Sequence, residues 1–72
     1  MFHKDIVNYV KKKFPAGTRV ELMKMDDSHA PPIGTKGTVM QVDDIATIHV
    51  AWDNGSRLGA AWGEDIVKVV EK

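Results

Sequence analysis

The chain has 72 residues, and its ten lysine and arginine residues balance ten aspartate and glutamate residues. This length fits one small domain without a deep catalytic cleft, because so short a chain buries only roughly 60% of its unfolded surface. Without cysteine the chain has no disulfide or thiolate metal site. Since it also lacks an apolar run of about 20 residues and a secretory signal, we expect a cytoplasmic protein with no membrane partner.

Residues 1–14 are predicted to form an amphipathic helix that is distinct from the rest of the chain. At roughly 100° per residue, one arc of this helix is apolar and consists of Phe2, Ile6, Tyr9, Val10 and Phe14, with Val7 at its edge. The helix is expected to end before Pro15, which favours an extended conformation at the residue before it. A helix this short is marginal alone in water, so its apolar face should pack on another surface.

Residues 15–72 are predicted to form a small β-barrel domain. The expected strands cover residues 18–25, 37–42, 47–52, 56–62 and 66–70, with a single helical turn at residues 63–65. A tight hairpin is indicated by Asp53-Asn54-Gly55, where Asn54 and Gly55 should both adopt positive φ. The predicted core consists of Val20, Leu22, Val39, Ile48, Val50, Trp52, Ile66 and Val69. Five short strands at close spacing favour an antiparallel barrel over a flat sheet with exposed edges.

Five runs of sequence in this region carry a family resemblance. They are FPAGTRVEL at residues 14–22, MDD at residues 25–27, APPIGTKGTV at residues 30–39, VDD at residues 42–44 and WDNGS at residues 52–56. Through these runs, residues 14–70 resemble a bacterial and phage family described as domain of unknown function 4314. The resemblance implies an SH3-like small barrel, an occurrence in bacteria, phages or mobile elements, and no catalytic residues. A looser likeness to KOW-type modules is an analogy of fold.

No arrangement of side chains in the sequence indicates catalysis. His3, His29 and His49 fall on a helix, a loop and a strand, without the spacing of a metal site. The run at residues 34–38 lacks the spacing of a phosphate-binding loop and does not lead into a helix. We therefore expect no enzyme activity, no cofactor and no bound metal ion.

The loops after the first, second and fourth strands gather on one side in an SH3-type barrel. This arrangement predicts an acidic rim made of Asp26, Asp27, His29, Asp43, Asp44, Trp62, Glu64 and Asp65. Trp62 either caps the barrel or lines a recognition groove within that rim. Such a rim suits a basic or proline-containing peptide, so the favoured function is a protein-interaction or peptide-interaction module.

The alternative function is a nucleic-acid-binding accessory protein. It would use a basic stripe on the helix, formed by Lys4, Lys11, Lys12 and Lys13. Lysines can contact phosphates, but no arginines or aromatic residues are interleaved with this stripe, and the acidic rim would repel phosphate groups. The first 14 residues have a net charge of +3 and the remainder −3. Because the two parts attract each other and the apolar face of the helix must be buried, we expect the helix to pack on the domain near Met23 and Met25. This packing would occur within one monomer or between two chains as a swapped homodimer.

Overall fold

The computed structural model describes residues 3–70, which form one α-helix and five β-strands. The elements in chain order are α1 (Lys4–Lys13), β1 (Arg19–Lys24), β2 (Lys36–Val42), β3 (Thr47–Trp52), β4 (Ala60–Ala61) and β5 (Ile66–Val69). All five strands belong to one antiparallel sheet in the order β4-β3-β2-β1-β5. The predicted mostly-β class with one short helix is confirmed. Among the described residues, no helix is long and apolar enough to cross a membrane.

The two outer strands of the sheet, β4 and β5, contact each other, but no hydrogen-bonded ladder joins them in residues 3–70. The sheet is therefore not closed, and β4 has two residues where the sequence predicted seven. Where a longer β4 was predicted, side chains instead of a neighbouring strand form hydrogen bonds with the backbone. The indole Nε1 of Trp52 donates to the carbonyl oxygen of Leu58 at 2.8 Å, and Ser56 Oγ accepts from the Leu58 N–H.

Helix α1 is capped at its start by His3, whose Nδ1 accepts a hydrogen bond from the Asp5 N–H, and at its end by Phe14, which precedes Pro15. The side chains that it buries are Val7, Val10 and Phe14. Ile6 and Tyr9 remain substantially exposed, and the predicted contribution of Phe2 falls outside the described residues.

The prediction that the helix packs near Met23 is wrong, whereas Met25 is half-buried against the core that also holds Val7, Val10 and Phe14, so its proximity to the helix stays a prediction. Among the described strands, the one that α1 contacts is β2. The short link after the helix explains this position, because the N–H of Gly17 donates to the carbonyl oxygen of Val39 and the N–H of Val39 donates to that of Thr18. These bonds tie the chain to the middle of β2 as soon as the helix has ended. Met23 on β1 stays exposed as a result.

Six of the eight predicted core residues are buried, and they are Val20, Leu22, Val39, Ile48, Val50 and Trp52. Ile66 and Val69 are 53% and 42% exposed, so their assignment to the core is wrong. Both lie on β5, which pairs with β1 alone and is the outermost strand on that side of the sheet. A β-bulge in β1 between Leu22 and Lys24 shifts the register there, and Val67 is the β5 residue that packs on the core.

The hairpin between β3 and β4 confirms one of the two predicted backbone conformations. Gly55 has φ +92°, whereas the prediction of positive φ for Asn54 is wrong. The N–H of Gly55 donates to the carbonyl oxygen of Trp52, and the N–H of Trp52 donates to that of Ser56. This is a three-residue hairpin loop, in which only the last residue needs the left-handed conformation. The loop between β2 and β3 has the same hydrogen bonds, with Ala46 at φ 58°.

Candidate functional site

A cleft of about 360 Å³ opens between the end of α1 and the start of β5. Its walls are formed by Lys13, Ile48, Trp62, Gly63, Asp65, Ile66 and Val67. Most of this lining is apolar, with one ammonium group and one carboxylate. The volume lies at the lower end of the roughly 300–1,000 Å³ found for ligand sites, and a few polar groups in an apolar wall are typical of them.

Trp62 forms one wall of this cleft and also packs on the helix. Its backbone N–H donates to the carbonyl oxygen of Ala46, which fixes the residue after β4 against the loop between β2 and β3. The indole ring meets Tyr9 edge-on, with 5.8 Å between ring centroids, and Phe14 at 6.2 Å. Trp62 is half-buried, so it covers the core and borders the cleft at the same time.

The ammonium group of Lys13 lies over three aromatic rings. Its Nζ is 5.6 Å from the centroid of Trp62, 5.8 Å from that of Phe14 and 5.9 Å from that of Tyr9. Each distance falls within the roughly 6 Å over which a ring quadrupole attracts a cation. We call Tyr9, Phe14 and Trp62 the aromatic cluster. The sequence placed Lys13 in the basic stripe, although its i, i+4 spacing from Tyr9 indicates that the two side chains are neighbours.

Asp65 and Asp44 lie on two sides of the helix end. Asp65 Oδ2 accepts a hydrogen bond from the Ala61 N–H at 2.8 Å, which closes the loop between β4 and β5 and holds Asp65 in the cleft wall. Asp44 Oδ1 is 3.0 Å from Nζ of Lys11, so it joins the loop between β2 and β3 to the helix. Glu64 is exposed beside Asp65 in the same loop.

Asp43 is engaged in building its own loop. Its Oδ1 accepts hydrogen bonds from the backbone N–H groups of Ile45 and Thr47, and its Oδ2 is 2.8 Å from His49 Nε2. Burial raises the pKa of Asp43, but the hydrogen bonds from His49, Thr47 and Ile45 and the charge of His49 together outweigh burial and lower this pKa below its usual range. These contacts give Asp43 a structural role.

Asp26, Asp27 and His29 lie in the long loop between β1 and β2. Asp27 Oδ1 accepts from the His29 N–H at 2.8 Å, and all three residues are exposed. The loop starts next to the cleft wall, because Lys24 at the end of β1 is paired with Ile66. Within residues 3–70, no hydrogen bond or ion pair joins these residues to the other members of the predicted rim. The acidic rim as one surface stays a prediction.

The basic stripe on the helix is partly used within the chain. Lys11 is paired with Asp44, and Lys13 lies on the aromatic cluster. Across the described part of the chain, no three histidine or acidic residues converge as a group that could hold a metal ion.

Comparison with known proteins adds a family relationship. A family model described as "Domain of unknown function (DUF4314)" matches residues 3–70, which is nearly the whole chain. No curated protein and no solved structure matches the chain significantly.

Proposed function

The chain belongs to the DUF4314 family, and we propose that it is a non-enzymatic module that binds a basic segment of another protein. The observation that supports this proposal is the cleft beside Trp62, which has apolar walls and the exposed side chain of Ile66 at its border. Half-buried tryptophans next to apolar clefts are typical anchoring points in protein recognition. We also propose that the sheet curls as an SH3-like barrel, which the contact between β4 and β5 supports.

Charge around the cleft supports a basic partner. Asp65 lies in the wall and Glu64 is exposed in the same loop, whereas the charge of Asp44 is already paired with Lys11. Opposite charge on the partner would speed its encounter with this surface and set its orientation. Bacterial or phage origin and a cytoplasmic location stay predictions from the sequence.

Nucleic-acid binding through the basic stripe is less well supported by the structure. Lys11 is paired with Asp44, so a phosphate backbone would have to replace that ion pair. Lys4, Lys12 and Lys13 would neutralise few phosphates, and affinity for nucleic acid rises with the number of phosphates that are contacted.

The experiment is a selection of random peptides displayed on phage, performed at about 150 mM salt. Selected peptides are then titrated against the wild type, Ile66→Ser and Ile33→Ser by isothermal calorimetry. The two variants form a matched pair, because both isoleucines are exposed and only Ile66 lines the cleft. We expect basic peptides whose affinity falls roughly tenfold in Ile66→Ser, the effect of losing about 1.4 kcal/mol of contact, and is unchanged in Ile33→Ser.

Two results would contradict the proposed function. One is an equal affinity of the selected peptides for Ile66→Ser and the wild type, which would place binding elsewhere. The other is a failure to select any peptide together with sub-micromolar binding of duplex DNA or RNA at the same salt concentration. That second result would favour the nucleic-acid function instead.

A further inference from the structure

We propose that Lys13 occupies a cation site of the cleft and that a lysine or arginine side chain of the bound segment replaces it there. This inference rests on the proposed function and names the chemistry that the cleft recognises. It makes Lys13 an internal competitor for the partner rather than a residue that contacts it.

The aromatic cluster supplies the geometry of a cation site. The rings of Tyr9 and Trp62 meet at 64° with 5.8 Å between centroids, so they form two walls at an angle. Nζ of Lys13 lies within 6 Å of both rings and of Phe14. Phe14 is buried, whereas Tyr9 is exposed and Trp62 half-buried, so the last two are the rings that an incoming side chain can reach.

Lys13 can be displaced from this position. Its side chain belongs to the exposed last turn of α1, and no carboxylate of residues 3–70 lies within ion-pair distance of it. Lys11, two residues earlier, differs because it is paired with Asp44 at 3.0 Å. A cation–π contact at an exposed site changes an equilibrium by a factor of only about two to five. A partner that gains further contacts in the cleft can therefore outcompete Lys13.

Charge selects the kind of side chain that enters. An incoming ammonium or guanidinium group meets the π faces in a cleft whose wall also contains the carboxylate of Asp65, although that carboxylate is not within ion-pair distance of Lys13. While Lys13 remains in place, its positive charge opposes that entry, so its removal should strengthen the binding of a cation. An anionic ligand would instead bind to Lys13, and removal of Lys13 should then weaken its binding. The sign of the effect separates the two cases.

The experiment titrates tetramethylammonium into the wild type, Lys13→Gln and the matched control Lys12→Gln. Binding is followed by NMR through the Trp62 indole N–H and the Tyr9 ring protons. Lys12→Gln removes the same charge from a neighbouring exposed position that does not touch the cleft. We expect Lys13→Gln to bind the probe about two- to fivefold more tightly than the wild type, and Lys12→Gln to match the wild type.

A second readout follows Lys13 itself. In the free wild type, its ε-methylene protons should be shifted upfield by ring currents from the aromatic cluster, and they should return to ordinary positions as the probe is added. Ordinary positions in the free protein would overturn the inference, as would equal or weaker probe binding by Lys13→Gln. If Lys13→Gln melts well below the wild type, Lys13→Met, which keeps the apolar stem, replaces it.

The outcomes for this inference and for the proposed function are distinguishable. Peptides that bind at Ile66 but bind no more tightly to Lys13→Gln would contradict the inference and leave the proposed function standing. Tighter probe binding by Lys13→Gln, together with no selectable peptide and sub-micromolar binding of duplex DNA or RNA, would support the cation site and contradict the peptide-binding function.

Discussion

Helix α1 is held on the sheet by few buried side chains, so its docking should respond to a small change at Val10. This side chain is 0% exposed, and Val10→Ala removes two methyl groups from it. Burial contributes about 0.8 kcal/mol per methylene-sized group, or about 1.6 kcal/mol for the pair. The better helix propensity of alanine offsets part of this loss, whereas the cavity adds to it. We expect docking to weaken by about 1–2 kcal/mol, a factor of roughly five to thirty.

The measurement is amide hydrogen exchange of residues 8–13 at low protein concentration. Exchange of these amides in Val10→Ala should accelerate by that factor, since it occurs when the helix detaches or the domain unfolds. The control is Lys12→Ala on the same helix, whose side chain is exposed. A surface substitution of this kind should stay within about 0.5 kcal/mol of the wild type.

Two results would refute the reasoning about Val10. Unchanged exchange in Val10→Ala would mean that its burial does not hold the helix in place. Protection in the wild type that increases with protein concentration would mean that the helix docks on a second chain, as in the swapped homodimer.

Three further changes test the core, a close approach and a charged loop. Trp52 is 2% exposed, so Trp52→Ala should lower the free energy of unfolding by about 3–5 kcal/mol. This is a large part of the total stability of so small a domain. A melting curve like that of the wild type would contradict the prediction. Gly37→Ala would place Cβ 2.6 Å from Val50 Cγ1 and 2.9 Å from the carbonyl oxygen of Ala51. These close contacts should lower the free energy of unfolding by about 1–3 kcal/mol, which urea denaturation measures. Asp43 has a lowered pKa in the folded state, so it stabilises the fold above its unfolded pKa of about 3.9, and this contribution is lost as the pH falls through the folded pKa. Asp43→Asn should therefore flatten the decline of stability in acid, and an equally steep decline would show that the acid sensitivity arises elsewhere.

The parts of the fold that follow local patterns could be predicted from the sequence. Strand β3 has the predicted bounds, because Ile48, Val50 and Trp52 alternate with half-buried residues on a strand that has neighbours on both sides. The length of β4 could not be predicted, because the local pattern does not reveal that the Trp52 indole of β3 binds the Leu58 carbonyl oxygen where the strand was expected. The exposure of Ile66 could not be predicted either. The sequence identifies β5 as a strand, but tertiary contacts set its place at the edge of the sheet.

The candidate site was predicted in part, and the parts that were not predicted also depend on tertiary contacts. Trp62 was expected to cap the barrel or to line a recognition groove, and the structure places it in the cleft wall while it also covers the core. Asp43 was assigned to a partner surface, although its distance of four residues from Thr47 fits a side chain that caps its own loop. Lys13 was assigned to a basic stripe, and its contact with Trp62 could not be predicted because only the folded chain brings Trp62 next to the helix end.

The cleft has walls from both parts of the chain, which makes ligand binding and helix docking dependent on each other. Tyr9 comes from α1, whereas Trp62 and Ile66 come from the sheet and its loop, so a detached helix removes Tyr9 from its place beside Trp62 and opens one wall of the site. A ligand that binds only the docked form stabilises docking by about 2.7 kcal/mol when its concentration is 100 times Kd. This exceeds the 1–2 kcal/mol expected to be lost in Val10→Ala. A saturating selected peptide should therefore restore protection of residues 8–13 in that variant, whereas a peptide that binds away from the helix would leave their exchange fast.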